Sequence, residues 1–234
     1  MVVLLHALPT AMEDGLAIGQ FPYIAMTARF AVPFFFITAG YFQRIDGVAP
    51  AAIVWRALRR LLPIYLIWIA VYWFVCRIVP LPDMEWNGNW RSLLQGGPLF
   101  HLWFLPALGF GLALVGIARV KLGLRTTTAL AIGLALIGLG LTSYQAPLFG
   151  HEALEPRRGI FFAPAFVVIG AWLSQSRAEV SVGRATAIAL AGVATIIGEE
   201  MALRQIMGWP SVRSHDISLG TFFYGTGAFC SRVH

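Results

Sequence analysis

Apolar segments of membrane-spanning length recur along the chain, and they constrain its fold more than any other feature. A helix needs about 20 apolar residues to cross the hydrocarbon core of a bilayer. Seven segments meet or approach that length: 22–43, 61–80, 99–118, 126–143, 159–175, 184–203 and 217–232. The opening stretch VVLLHALP is about half of a span. The pattern predicts an all-α, polytopic transmembrane helix bundle with about seven full spans plus a partial first helix.

The composition excludes a soluble domain. Hydrophobic residues make up 58% of the chain and charged residues only 12%, so a soluble fold of this size could not bury its apolar surface. The formal net charge of +6 comes mostly from arginines in short loops between apolar segments. We therefore predict the lipid bilayer as a partner, and no nucleic acid. No repeat or linker divides the sequence, so we expect residues 1–234 to form a single membrane-embedded domain.

The distribution of positive charge predicts the orientation. The loops at 44–60, 119–125 and 177–184 hold nine arginines and lysines, whereas the loops on the opposite side hold six and most of the acidic residues. Because positively charged loops stay on the cytoplasmic side, we expect these three loops and the N-terminus to be cytoplasmic.

One arginine lies inside an apolar segment, in the stretch ARFAVPFFFITAGYF. A guanidinium at that depth costs several kcal/mol unless it is paired or hydrated. Arg29 could extend to the outer interface, or it could face a polar cavity and bind an anion or a developing negative charge. Pro33 and Gly40 can bend or thin the helix, which helps to open such a cavity.

Two histidines and two arginines are further candidates for chemistry. His6 could be a packing residue or a general base, because imidazole titrates near neutral pH. His101 could be an interfacial residue or a second polar group that lines the cavity. Arg56 and Arg60 are one helical turn apart. They could set the topology, or they could bind phosphates of a cytosolic donor.

Other polar groups have simpler explanations. His215 and Asp216 lack further ligands at metal-like spacing, so we predict no metal site. Glu199 and Glu200 could serve transport, but we expect them to cap a helix at the membrane edge.

Several stretches resemble the acyltransferase-3 family of integral-membrane O-acyltransferases. VVLLHALP resembles the first-helix segment of that family with its essential histidine, here His6. ARFAVPFFFITAGYF resembles the block R-x-x-V-P-x-F-F-x-x-S-G-[YF], with Ala39 in place of the usual serine. FHLWFLPAL resembles the block that opens the fourth helix. WRALRRLLP and RRGIFFAPAFVVIGAWL are similar to two further arginine-containing blocks. The matched residues of the second block are Arg29, Val32, Pro33, Phe35, Gly40 and Tyr41.

The resemblance implies transfer of an acyl group, commonly acetyl from acetyl-CoA, to a hydroxyl of an extracytoplasmic carbohydrate at the bacterial inner membrane. It implies His6 as the base, Arg29 as an electrostatic stabiliser or CoA contact, and His101 as a residue that orients the substrate. Arg56 and Arg60 would contact the phosphates of the acyl-CoA, which is a donor substrate, and no bound cofactor is expected.

The sequence also departs from the family. The usual basic residue well before the histidine would precede Met1, and the last helices are missing, so we expect a chain truncated at both ends. Two alternatives to an active enzyme stay open. One is a non-catalytic remnant, and the other is a secondary transporter, for which we find no inverted repeats.

Overall fold

The computed structural model describes residues 31–78, 100–149, 160–176, 180–207 and 217–231. Every regular element within these ranges is helical, which confirms the all-α prediction. The helices are α1 (Ala31–Tyr41), α2 (Pro50–Ile78), α3 (Phe104–Gly138), α4 (Gln145–Phe149), α5 (Ala163–Ser176), α6 (Val182–Met207) and α7 (Leu219–Cys230). A 3₁₀ turn, Phe100–Trp103, precedes α3, and a π-helical turn, Leu139–Ser143, follows it.

Three described segments are long and apolar enough to cross a membrane: Pro50–Val75, Phe104–Ser143 and Val182–Leu203. Helices α1 and α5 are apolar but shorter within the described residues. This composition fits a multi-pass membrane protein. The number of about seven full spans stays a prediction, in part because the first predicted span, 22–43, begins outside the described residues.

Helix α3 consists of two arms that run in opposite directions. Gly123 interrupts the helical backbone with φ 77° and ψ 168°, a region that residues with a side chain rarely occupy. Gly111 in the first arm and Gly138 in the second arm both lie against the start of α5. A straight helix would separate these two glycines by about 40 Å. The chain therefore reverses at Gly123, within the predicted loop 119–125, so the segment Phe104–Ser143 is not one straight span.

Helix α2 begins at Pro50, whereas the sequence predicted a loop up to residue 60. Proline suits the first position of a helix, because the N–H that it lacks has no intrahelical partner there. The prediction was wrong for the second half of the loop because its arginines lower the local hydropathy. Arginine nevertheless favours helix, and Ile53, Ala57 and Tyr65 form a buried stripe at helical spacing.

The buried stripe packs antiparallel against the first arm of α3. A Cβ on Gly116 would lie 2.6 Å from Ile53 Cγ2, and a Cβ on Gly109 would lie 3.5 Å from Leu61 Cδ1. These two contacts define the register of α2 on α3, with the N-terminus of α2 beside the end of the first arm.

Helix α1 packs against α5 and α7, and its contact with α5 is very close. A Cβ on Gly40 would overlap the carbonyl oxygen of Val167, and a Cβ on Gly170 would overlap the carbonyl oxygen of Ile37. Small residues let helix backbones approach in a membrane, where packing rather than hydrophobicity drives association. The glycine of the sequence block at residues 28–42 thus has a packing role.

Replacing Gly170 by alanine should destabilise the protein by about 1–3 kcal/mol, because α1 and α5 must move apart to admit the methyl group. A matched control is Gly198→Ala in α6, where nothing lies within 4 Å of the added Cβ. The control should be neutral or slightly stabilising. Unfolding of both variants by SDS titration in mixed micelles measures the difference, and equal stability would contradict the close packing.

Candidate functional site

Arg56 and Arg60 lie on α2, one turn apart and exposed. In the register of α2 on α3, both arginines lie between Ile53, which is beside Gly116, and Leu61, which is beside Gly109. Arg60 is about 15 Å along the helix from Pro50. Both arginines therefore lie in the N-terminal part of the candidate span Pro50–Val75. Their predicted one-turn spacing is confirmed, but they occupy a candidate span rather than a loop.

An arginine that lies within the hydrocarbon core costs free energy unless water, an anion or a partner reaches it. Within the described ranges, neither Arg56 nor Arg60 has a hydrogen-bond or ion-pair partner. Side chains on a helix lean toward its N-terminus, so both guanidinium groups lean toward the end of α2 that is predicted to be cytoplasmic. The two side chains are therefore placed to receive an anion from that side.

His101 lies in the 3₁₀ turn that leads into α3. Its neighbour Leu102 packs with Leu105 against Tyr65 of α2. Tyr65 is five residues beyond Arg60, which is about 8 Å along the helix. The register of α2 on α3 thus places the turn that holds His101 about two to three helical turns beyond Arg60, on the side predicted to be outer.

His6 and Arg29 lie outside the described residues, so their roles stay predictions. The structure nevertheless describes the start of α1, which is the part of that helix nearest to Arg29 in the sequence. Pro33 is buried and lies against Gly225 of α7, where an added Cβ would be 2.7 Å from Pro33 Cβ. The end of α1 that leads to Arg29 is therefore adjacent to α7.

Glu199 joins three elements at the end of the bundle predicted to be outer. Its carboxylate accepts a hydrogen bond from the Tyr144 hydroxyl. It also accepts from the backbone N–H groups of Leu219 and Gly220, each at 3.2 Å. Negative charge is favourable at a helix N-terminus because of the helix dipole. Glu199 thus caps α7, as predicted for a glutamate of this pair, whereas its place at the membrane edge stays a prediction.

Buried polar side chains surround this cap. They are Thr142, Ser143, Gln145, Glu200, Ser218 and Thr221. Ser143, at the end of the π-helical turn, donates to the carbonyl oxygen of Ile217 at 2.5 Å. Burial, and then the hydrogen bond to Glu199, raise the pKa of Tyr144, so its hydroxyl stays protonated and keeps donating. Sequence reasoning missed this cluster, although the polar run TSYQ between two apolar segments was a signal for it.

The described part of the chain offers sites for anions rather than for metals. No three His, Cys, Asp or Glu side chains within those ranges are close enough to hold a metal ion. Exposed arginines inside an apolar helix instead suit a phosphate group, which accepts several charge-assisted hydrogen bonds. These arginines are the described residues that could hold an acyl-CoA donor.

A match to the family described as an acyltransferase domain covers residues 1–231. The chain belongs to the acyltransferase-3 family. Membership identifies residues 1–231 as an acyltransferase domain by the description of the family. It also agrees with the apolar helices of the structure, because the family is embedded in the membrane.

Curated relatives of this acyltransferase-3 domain are larger proteins with another name. The chain is 28% identical over 198 residues to an amino-acid racemase of Enterococcus faecalis, covering 75% of the chain and 26% of that protein. It is 27% identical over 241 residues to a serine/alanine racemase of Enterococcus gallinarum, covering 92% of the chain and 33% of that protein. The chain therefore spans about a quarter to a third of the length of these relatives. No solved structure matches the chain significantly.

Replacing Tyr144 by phenylalanine should destabilise the acyltransferase-3 domain by about 1–3 kcal/mol, because a hydrogen bond to a charged carboxylate is lost. The matched control is Tyr41→Phe, since the Tyr41 hydroxyl makes no hydrogen bond within the part of the chain that the structure describes. The control should change stability by less than about 0.5 kcal/mol. Thermal unfolding followed by intrinsic fluorescence compares the two, and a Tyr144→Phe protein as stable as the control would refute the role of the cap.

Proposed function

We propose that the protein is a membrane O-acyltransferase that moves an acyl group, most simply acetyl, from acyl-CoA to a hydroxyl of an extracytoplasmic carbohydrate. The family match over residues 1–231 carries this proposal, because that range includes His6, Arg29, His101 and both arginines of α2. The two substrates are polar and lie on opposite sides of the membrane, so they must meet in a hydrated path through the bundle.

Residues of α2 form the donor side of this path. Arg56 and Arg60 are exposed inside the segment Pro50–Val75 and lean toward its N-terminus. Guanidinium groups suit phosphate oxygens because they offer several donors in a fixed plane. Phosphates bound there would leave the acyl end of the donor directed along α2, toward the turn that holds His101. The positive-inside rule assigns this donor end to the cytoplasm, in a bacterial inner membrane.

The proposed chemistry begins with His6. Its imidazole accepts the proton of the acceptor hydroxyl, and the hydroxyl oxygen forms a bond to the thioester carbonyl carbon. The carbon–sulfur bond then breaks, and the thiolate of CoA leaves with the proton that His6 releases. The products are an ester and the free thiol. Arg29 stabilises the negative charge on the carbonyl oxygen, an effect that is stronger at low dielectric. His101 orients the acceptor.

A second candidate changes the acceptor. The relatives are named racemases of amino acids, and one name includes serine, whose side chain ends in a hydroxyl. The same reaction could therefore acylate the hydroxyl of an amino acid. Competition between labelled serine and the carbohydrate in one acyl-transfer assay distinguishes the two acceptors.

A secondary transporter has less support than an acyltransferase. The glutamate pair was the basis for that alternative, and Glu199 is now engaged in capping α7. Uptake of labelled substrate into vesicles without acyl-CoA separates transport from acylation. Uptake without any ester product would favour the transporter.

Loss of the gene should remove a class of O-acyl esters from the carbohydrate of the cell surface. Complementation with the wild-type gene should restore them, whereas complementation with His6→Ala should lower ester formation by about 10²–10⁴-fold if His6 is the base. Ester content measured by mass spectrometry, at equal amounts of protein in the membrane, reads this out. Normal ester content with His6→Ala would exclude His6 as the base.

Replacing Arg56 or Arg60 by glutamine should raise the KM for acyl-CoA by about tenfold each, since a hydrogen bond to a charged group contributes about 1.5–3 kcal/mol. The matched control is Arg77→Gln at the other end of α2, where the guanidinium lies 4.7 Å from the Trp73 ring. The control should leave the KM for the donor unchanged. A donor KM that responds equally to all three substitutions would place the donor site elsewhere.

A further inference from the structure

Three buried polar atoms in the part of the chain that the structure describes have no hydrogen-bond partner. They are Nε and Nη1 of Arg119 and Oε1 of Gln43, and all three are enclosed by protein. Roughly nine in ten buried polar groups in proteins are hydrogen-bonded, so each exception calls for an explanation such as a missing ion, water or ligand. Sequence reasoning had treated Arg119 only as a topological charge.

Gln43 packs on the face of α3 that also carries Arg119. Gln43 follows α1, and its Nε2 donates to the carbonyl oxygen of Leu112 at 2.7 Å. The missing side chain of Gly116 makes room for this amide, because a Cβ there would lie 2.8 Å from Gln43 Nε2. Leu112, Gly116 and Arg119 are spaced by four and three residues, which places them on one helix face. Arg119 leans back along the helix toward Gly116.

The described residues of α1, α2, α3 and their connections supply little negative charge to Arg119. Asp46 is the only acidic residue in 31–78 and 100–149, whereas these ranges contain eight arginines and lysines. Asp46 attracts Arg119 electrostatically, but it is exposed and forms no ion pair with it. An enclosed guanidinium with so little compensation is costly, so an anion from outside the chain would complete the site.

The hydrogen-bonding atoms select the chemical class of that anion. We infer that Arg119 and Gln43 form a binding site for a phosphate ester that also carries a hydroxyl group. The phosphate oxygens accept hydrogen bonds from the guanidinium, whose donors point in several directions. An ionised phosphate has no donor, so the hydroxyl of the ligand donates to Gln43 Oε1. The Oε1 atom is held as an acceptor because the amide nitrogen already donates to Leu112.

The ligand reaches this site by displacing the connection between α1 and α2. Residues 42–49 of this connection belong to no helix, and Gly47 within it has φ 68°. The site also lies beside the N-terminus of α2, the end predicted to be cytoplasmic. Two ligands of the inferred class are present there: the nucleotide end of a CoA thioester and the headgroup of an anionic glycerophospholipid. The nucleotide source rests on the proposed function, whereas the lipid source does not.

The experiment uses the full chain in nanodiscs and has two arms. In the first arm, discs of phosphatidylcholine are titrated with coenzyme A by calorimetry. In the second arm, no coenzyme A is added, and the melting temperature is compared between discs of phosphatidylcholine and discs that contain phosphatidylglycerol. The test variant is Arg119→Gln, and the matched control is Arg125→Gln, an exposed arginine beyond the Gly123 break.

Arg119→Gln should weaken binding by about tenfold or more in one arm, while Arg125→Gln leaves it unchanged. Weaker binding of coenzyme A identifies the nucleotide source, and loss of the stabilisation by phosphatidylglycerol identifies the lipid source. Equal behaviour of the two variants in both arms overturns the inference. If Arg119→Gln does not fold, Arg119→Met replaces it, because methionine has a similar length and no charge, and its equality with wild type in both arms has the same consequence.

The outcomes also separate this site from the proposed function. If the protein binds no coenzyme A and forms no ester, but its stabilisation by phosphatidylglycerol requires Arg119, the inferred site stands and the proposed function is wrong. If the protein binds coenzyme A and transfers acyl groups, but Arg119→Gln and Arg125→Gln behave alike in both arms, the proposed function stands and the inferred site is wrong.

Discussion

Close contact between helix backbones at glycines is the interaction on which the rest of this structure depends. Lipid tails are as apolar as the side chains, so hydrophobicity does not press helices together in a membrane, and packing must do so. Gly40 and Gly170 let α1 and α5 meet at backbone carbonyls, and Gly192 and Gly227 let α6 and α7 meet at backbone amide nitrogens. These contacts hold α1 in place beside α5 and α7.

The charged groups on these packed helices are of two kinds, which differ in their environment. At the end predicted to be outer, Glu199 is fully engaged, because one carboxylate satisfies the first N–H groups of α7 and the hydroxyl of Tyr144. Along α2, in contrast, Arg56 and Arg60 are exposed and unpaired among the described residues. A charge that is satisfied within the protein stabilises the fold, whereas a charge left open in an apolar helix is available for a ligand. The proposed donor path follows from that contrast.

The sequence predicted part of the candidate site. The one-turn spacing of Arg56 and Arg60 was readable from local pattern, as was a capping role for the Glu199–Glu200 pair, but the helix that Glu199 caps was not. The place of the two arginines on α2 was not readable either, because hydropathy averages over neighbours and could not place the start of α2 at Pro50. Arg119 was also missed as a binding residue. Its isolation depends on Gln43 and Gly116, which a sequence pattern does not bring together.

By itself, the sequence determined the all-helical membrane class, the approximate position of the apolar segments and the family, because each of these depends on local composition or on short motifs. Tertiary structure alone decided that α3 reverses at Gly123, that α2 lies on it in the register of Ile53 with Gly116, and that Glu199 caps α7. The physical reason is that these features are contacts between residues far apart in the chain, whose geometry is set by which small residues allow two backbones to meet.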